Sequence, residues 1–137
     1  MRILLVTRLF PIPNNVARGT FVSDHAELLE SLGHEVKVLN VLPRMLRVNE
    51  ARRSTMEGVS KAPKKFEHGG FEVTVKRHWE FPEFTAITAF SAGRIKFDWE
   101  PDVVICHTIW PVAYTAKAIA KRYGIPWVAI VHGHDFD

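Results

Sequence analysis

The chain has 137 residues, of which 47% are hydrophobic and 24% charged, with a formal net charge of +3. That is the length of one domain with a real core and the composition of an ordinary globular protein. The single cysteine, Cys106, excludes a disulfide framework or a cysteine-rich zinc site, and no apolar run approaches the ~18 residues of a membrane span.

Met1-Arg2 passes directly into Ile3-Leu4-Leu5-Val6. This is too short for a signal peptide, so a cytoplasmic protein is the expectation. The run 2–7 is almost continuously apolar, which suits a central parallel strand covered on both faces. Residues 8–19 hold two prolines and two asparagines and read as a loop. A helix is predicted from Thr20, as N-cap, to Leu32, with Phe21, His25, Leu28, Leu29 and Leu32 on its buried face. Gly33 ends it. A second strand follows over 36–42.

Residues 43–70 have scattered apolar positions and predict a basic segment that is mobile or loosely helical. A third strand over 71–79 alternates apolar and polar residues and reads as an edge. The next helix is expected over 86–97, loosened by Gly93. Val103-Val104-Ile105-Cys106 reads as a buried fourth strand. Pro111 opens a third helix whose buried face carries Val112, Ala116, Ile119, Ala120 and Tyr123. Gly124 caps that helix and Pro126 stops it. The apolar run 127–131 predicts a buried fifth strand. Alternating strands and helices predict one α/β domain over 1–137: a Rossmann-like, doubly wound parallel sheet in three αβα layers, with about five strands in the order 3-2-1-4-5.

That order reverses between strands 1 and 4, and ligands bind in the crevice outside such a reversal. Chemistry-bearing residues collect at those strand ends: Thr7 and Arg8, His107 and Thr108, then His132-Gly133-His134-Asp135. Gly19 stands just before the first helix, whose N-terminus attracts phosphate and whose glycine lets a ligand approach the backbone. No Gly-x-Gly-x-x-Gly follows the first strand and no Walker-type run is present, which argues against NAD enzymes and P-loop NTPases. His132-x-His134 with His107 nearby has metal-ligating side chains. The metallo-hydrolase run His-x-His-x-Asp-His fails, however, at Phe136 and Asp137. No metal is therefore expected.

Between Arg44 and Lys65 seven basic residues face only Glu50 and Glu57. A solvated loop is the plainest reading of 44–65. Peripheral contact with anionic lipid, or with a phosphorylated acceptor, is the functional one. With Phe66 as its one stacking residue the segment does not suit nucleic acid.

Several stretches together resemble a known family. Met1-Arg2-Ile3-Leu4-Leu5-Val6-Thr7 is followed by a proline-rich loop and by Gly19-Thr20-Phe21-Val22-Ser23-Asp24. Leu32-Gly33-His34-Glu35-Val36, Pro101-Asp102-Val103-Val104 and Gly124-Ile125-Pro126-Trp127 through Val131-His132-Gly133-His134-Asp135 complete the pattern. They resemble the N-terminal, acceptor-side domain of the family 4 retaining glycosyltransferases of GT-B fold. The resemblance implies transfer of a sugar from a nucleotide-sugar donor to a glycan or lipid acceptor, without metal or other cofactor. It implies a catalytic-site role for His132, donor phosphate or sugar contacts at Gly19 and Thr20, and acceptor contacts at Arg18, His107, His134 and Asp135. It also implies a C-terminal nucleotide-sugar domain that these residues do not contain, so the 137 residues are expected to be inactive alone. The location implied is cytoplasmic, with peripheral contact to the inner membrane face. The alternative is a stand-alone, non-enzymatic α/β module binding a glycan, nucleotide or protein at the same crevice.

Overall fold

The computed structural model describes residues 1–44, 56–81 and 83–131. In chain order these form β1 (Arg2–Thr7), α1 (Thr20–Ser31), β2 (Glu35–Pro43), a 3-10 turn (Val59–Lys61), β3 (Lys65–His68), β4 (Phe71–His78), α2 (Thr85–Gly93), β5 (Val103–His107), α3 (Val112–Tyr123) and β6 (Trp127–Ile130). They make one α/β domain around a sheet of order β3-β4-β2-β1-β5-β6. Every neighbouring pair is parallel except the β3–β4 hairpin.

The five parallel strands lie in the order the sequence predicts, and the sheet carries a sixth strand beyond them. Lys65–His68 falls within 43–70, the segment expected to be mobile or loosely helical. It pairs antiparallel with β4 instead, with Phe66 opposite Val73. Gly69 and Gly70, at φ 59° and 87°, make the turn between them. The edge therefore belongs to β3, not to β4. Glu72, whose polarity suggested an outer strand, meets Lys37 at 3.4 Å and Lys65 at 3.9 Å from its two neighbours. The residues 45–55 of the basic segment lie outside the described residues.

Two apolar layers hold the sheet. Ile3, Leu5, Val36 and Val38 pack with Val22 and Ala26 of α1 on one face. Leu4, Val6, Leu39 and Val41 pack with Val112, Ala116 and Ile119 of α3 on the other. Alternation along β1 and β2 thus feeds both layers, as expected of strands covered on both sides.

Three local expectations change. Helix α1 is rotated: Val22, Ser23 and Ala26 are buried, while Phe21, Leu28 and Leu32 stay exposed. Small side chains let α1 lie close to the sheet, and Phe21, Leu28 and Leu32, spaced seven and four apart, share a neighbouring face that falls outside the contact stripe. Helix α2 stops at Gly93, a poor helix former. Ile95 and Phe97 then enter the core from the segment that follows the helix. Strand β6 pairs only with β5 and is exposed along most of its length, with Val128 at 51%, where the apolar run predicted a buried strand. For α3 the expectation holds: Val112, Ala116, Ile119 and Ala120 are buried, and Gly124 caps the helix at φ 65°. Tyr123 is half-buried and donates its hydroxyl to Phe97 O at 2.7 Å.

The rotation of α1 has a direct test. On α1, Val22 is fully buried and Leu28 is 56% exposed. Val22→Ala should cost about 1–3 kcal/mol in urea unfolding, whereas Leu28→Ala should stay within about 0.5 kcal/mol of the parent. Equal losses would contradict the observed orientation.

Candidate functional site

The order of the sheet reverses between β1 and β5, where Thr7 and His107 face one another in register. The chain leaving β1 is a shaped loop rather than a slack one. Phe10 and Ile12 are buried, and Ile12 and Asn15 exchange backbone hydrogen bonds at 2.9 and 3.3 Å. The Thr7 hydroxyl donates to Leu9 O at 3.0 Å. Asn14 and Asn15 donate side-chain N–H groups to the carbonyls of Gly58 and Glu57, at 2.9 and 3.1 Å.

Arg18 lies inside this loop, 2% exposed. Its guanidinium donates to Phe10 O at 3.1 Å and to Arg8 O. Burial, and then the charge of Arg8, lowers its pKa to about 10, so it remains a cation at neutral pH. Asn40 of β2 secures the loop's start; with its amide nitrogen turned toward β1 it donates to Thr7 O and Arg8 O, both at 3.2 Å. The Arg8 guanidinium forms a two-pronged pair with Glu80, one arm at 2.9 Å. That pair ties the end of β1 to the segment after β4.

Gly19 closes the loop and is the residue at which α1 begins, with φ 61° and ψ 34°. A Cβ here would lie 2.5 Å from Leu9 C and 2.6 Å from Leu9 O. Glycine is thus required twice, by the left-handed backbone and by the close approach of the loop's own peptide. Thr20, read from sequence as the N-cap, is instead the first helical residue, and no side chain caps the helix start.

The first turns of α1 reach His107. Its ring is buried, Phe21 packs edge-on against it with centroids 6.4 Å apart, and His25 Nδ1 lies 2.8 Å from His107 Nε2. One of those two nitrogens must be bare for the other to donate. Burial holds the His25 pKa below its ordinary value of 6.5. Beside this pair, Thr108 adopts φ 70°, a costly conformation for a β-branched residue and one found at functional sites. Its buried Oγ1 has no hydrogen-bond partner among the described residues.

The structure therefore brings together Gly19, Thr20 and His107, the last through Phe21 and His25. It places Arg18 behind them, as a brace of the loop. His132, His134 and Asp135 lie outside the described residues. Among the described residues no group of three or more His, Cys, Asp or Glu could hold a metal ion. Sequence reasoning missed the His25–His107 contact, because it placed His25 in the apolar face of α1. It missed the Arg8–Glu80 pair because 72 residues separate the partners. Nothing in the sequence signals the backbone of Thr108.

A family model described as Glycosyltransferase Family 4 matches residues 19–136. No curated protein matches the chain. Among solved structures, the C-terminal domain of a hydrogenase from Pyrococcus furiosus is similar with a TM-score of 0.51 and 17% identity, over 94% of this chain and 90% of that one. At that identity the similarity is one of fold alone.

Two outcomes follow from the geometry. Gly19→Ala should lower unfolding free energy by about 2–4 kcal/mol, since it adds left-handed strain to a backbone collision; an unchanged midpoint in urea would contradict the close approach. His78 is also buried and its pKa is likewise lowered, chiefly by burial. For His25 and His78 the unfolded chain therefore binds protons more readily than the folded one. Their contribution is complete above the ordinary value of 6.5 and is lost as pH falls below it. The melting temperature should drop between about pH 7.5 and about pH 5.5, and less so in a His25→Gln/His78→Asn variant. A rise on acidification would contradict this.

Proposed function

The chain belongs to glycosyltransferase family 4, and from that we propose that it forms the N-terminal, acceptor-side half of a retaining GT-B glycosyltransferase. The reaction is transfer of a sugar from a nucleotide-sugar donor to a glycan or lipid acceptor, without a metal. The setting is the cytoplasmic side of a membrane, with peripheral contact through 44–65. The observation that carries this reading is the meeting of the uncapped α1 N-terminus behind Gly19 with His107 at the reversal of the sheet.

Retaining transfer requires electrostatic stabilisation of the departing phosphate. A helix N-terminus supplies oriented N–H groups and positive partial charge for that purpose. In this reading Gly19 and Thr20 lie beside the donor phosphates. His132 contacts the transferred sugar, and His107, His134 and Asp135 line the acceptor side. Arg18 serves the acceptor indirectly, by fixing the loop that ends at Gly19. The strained Thr108, whose hydroxyl has no hydrogen-bond partner among the described residues, extends this set as a polar contact for substrate.

Ile109 and Trp110, directly after Thr108, and Tyr114 in the first turn of α3 are exposed by 39, 43 and 45%. Apolar side chains there support a wall that a second domain covers, in preference to a stand-alone binding module. The main donor site then lies in that second domain, and residues 1–137 do not turn over alone.

The test compares the 137 residues with a protein that continues into the coding sequence following Asp137. The longer protein should transfer sugar with retention of anomeric configuration, and His107→Ala should reduce kcat/KM by about 10-fold or more. The 137 residues should show no turnover. Turnover by the short chain, or an inverted product, would overturn the proposal.

A further inference from the structure

Away from the β1–β5 crevice the domain carries two exposed apolar surfaces, and they are opposite in charge. The first is an open pocket of about 790 Å³ between the end of β4 and α2. Helix α2 spends two hydroxyls on the segment after β4: Thr88 Oγ1 accepts from Phe81 N at 2.7 Å, and Ser91 Oγ accepts from Trp79 N at 2.8 Å. Its apolar residues face outward. Ile87 and Phe90 line the pocket together with Trp79, and are 49, 66 and 44% exposed. Arg44, Lys76, Arg94 and Lys96 line it too, and among the described residues no acidic side chain does. Arg44 lies over the Trp79 ring and Arg94 over the Phe90 ring, each at 5.5 Å. None of these four cations has an ion-pair partner among the described residues.

The second surface is the outer face of α1. This helix contains Asp24, Glu27 and Glu30 and no lysine or arginine. All three carboxylates are exposed, and among the described residues none is in an ion pair. Asp24, Leu28 and Leu32 follow one another at intervals of four and so share a stripe, with Glu27 beside it. Leu28 and Leu32 are 56 and 65% exposed.

The two surfaces belong to opposite faces of the sheet. Helix α1 covers Ile3, Leu5, Val36 and Val38. Helix α2 is tied to α3, whose Thr115 hydroxyl donates to Ala92 O at 2.8 Å, and α3 covers Leu4, Val6, Leu39 and Val41. One chain therefore cannot bring its own α1 face to its own pocket, but two copies can.

We propose that the pocket receives the α1 face of a second copy of this chain, with the leucines against Ile87, Phe90 and Trp79 and the carboxylates among the four cations. A guanidinium stacked on a ring keeps its N–H edge for a carboxylate, which suits Arg44 and Arg94 to this role. A small anion would engage the cations and leave both apolar surfaces in water. Pocket against pocket would set cation on cation, and α1 face against α1 face carboxylate on carboxylate; like charges across an interface are costly. The contact is accordingly head to tail, leaving a free pocket at one end and a free α1 face at the other, where further copies add. It uses no residue assigned to the crevice and does not depend on sugar transfer.

Sedimentation velocity of the 137-residue chain tests the proposal. The average sedimentation coefficient should rise between about 10 μM and about 1 mM protein. Raising salt from about 50 to about 500 mM should reverse that rise, because it screens exposed charges. Phe90→Lys removes the pocket's most exposed apolar anchor, and Asp24→Lys/Leu28→Lys alters the α1 face. Each should weaken self-association by about 10-fold or more, with the melting temperature within about 3 °C of the parent. An equimolar mixture of the two variants should form a one-to-one pair and nothing larger. Each supplies the surface the other has lost, and the remaining junction sets cations on cations. A parent that stays monomeric throughout would overturn the proposal and leave the pocket to a different occupant. Full association by either variant would overturn it too. So would a parent that stops at a dimer which the mixture fails to restore, since that would show a two-fold contact.

Discussion

The architecture of the crevice depends on a contact that only glycine permits. At Gly19 the backbone is left-handed and the Leu9 carbonyl carbon lies 2.5 Å from where a Cβ would be. This closes the loop between β1 and α1 upon itself. Arg18 then fills the loop's interior and satisfies two of its carbonyls. A buried cation is costly unless hydrogen-bonded, and here the carbonyls of Phe10 and Arg8 supply the partners. With the loop fixed in this way, α1 starts at the sheet's C-terminal edge and lies across β1 and β2. The small Val22–Ala26 stripe is what lets it settle there.

From that placement the rest of the site follows. Phe21 and His25 come down on His107 because they are on the first two turns of a helix whose origin is fixed. Arg8, one residue beyond β1, is held by Glu80 after β4, so both sides of the sheet's edge are joined by one ion pair. Thr108 keeps its strained φ because its amide donates to Ile130 O at 3.2 Å and its carbonyl accepts from the Cys106 thiol at 3.0 Å. Rigid strands thus hold both the histidine and the strained residue, which is how a fold keeps costly geometry in place.

The sequence made the sheet legible wherever one period dominated. Ile3–Val6 and Val103–Cys106 are short apolar runs between polar ends, and both are strands. Gly124 and Pro126 bounded α3 correctly because each acts through its own backbone. The failures share one cause: they depended on what lies across space. The α1 stripe was misread because Leu28 and Leu32 are apolar yet exposed and Phe21 meets His107 rather than the core, whereas Ser23 and Ala26 are buried. Strand β3 was missed because Lys65–His68 has little apolar content and forms only by pairing with β4. The exposure of β6 could not be read from Trp127–Ile130, whose residues suit a covered strand equally well. In the crevice, the placement of Gly19 at the start of α1 and of His107 at the end of β5 was legible from their positions at element ends. The inward turn of Arg18 and the His25–His107 contact were not, since both require the loop and helix to be already placed.

The same molecule presents two different surfaces along one edge of its sheet: a buried, hydrogen-bonded crevice at β1–β5 and an open cationic–aromatic pocket at β4–α2. The central claim is that the crevice, set by Gly19, is the face that meets phosphate-bearing substrate. Amide chemical shifts measured while a nucleoside diphosphate is titrated into the folded chain address this most directly. The account predicts progressive shifts at Gly19, Thr20, His107 and Thr108, with Gly124 at the opposite end of the sheet unmoved. Shifts confined to the β4–α2 pocket, or no shift at Gly19 and Thr20 at saturation, would contradict it.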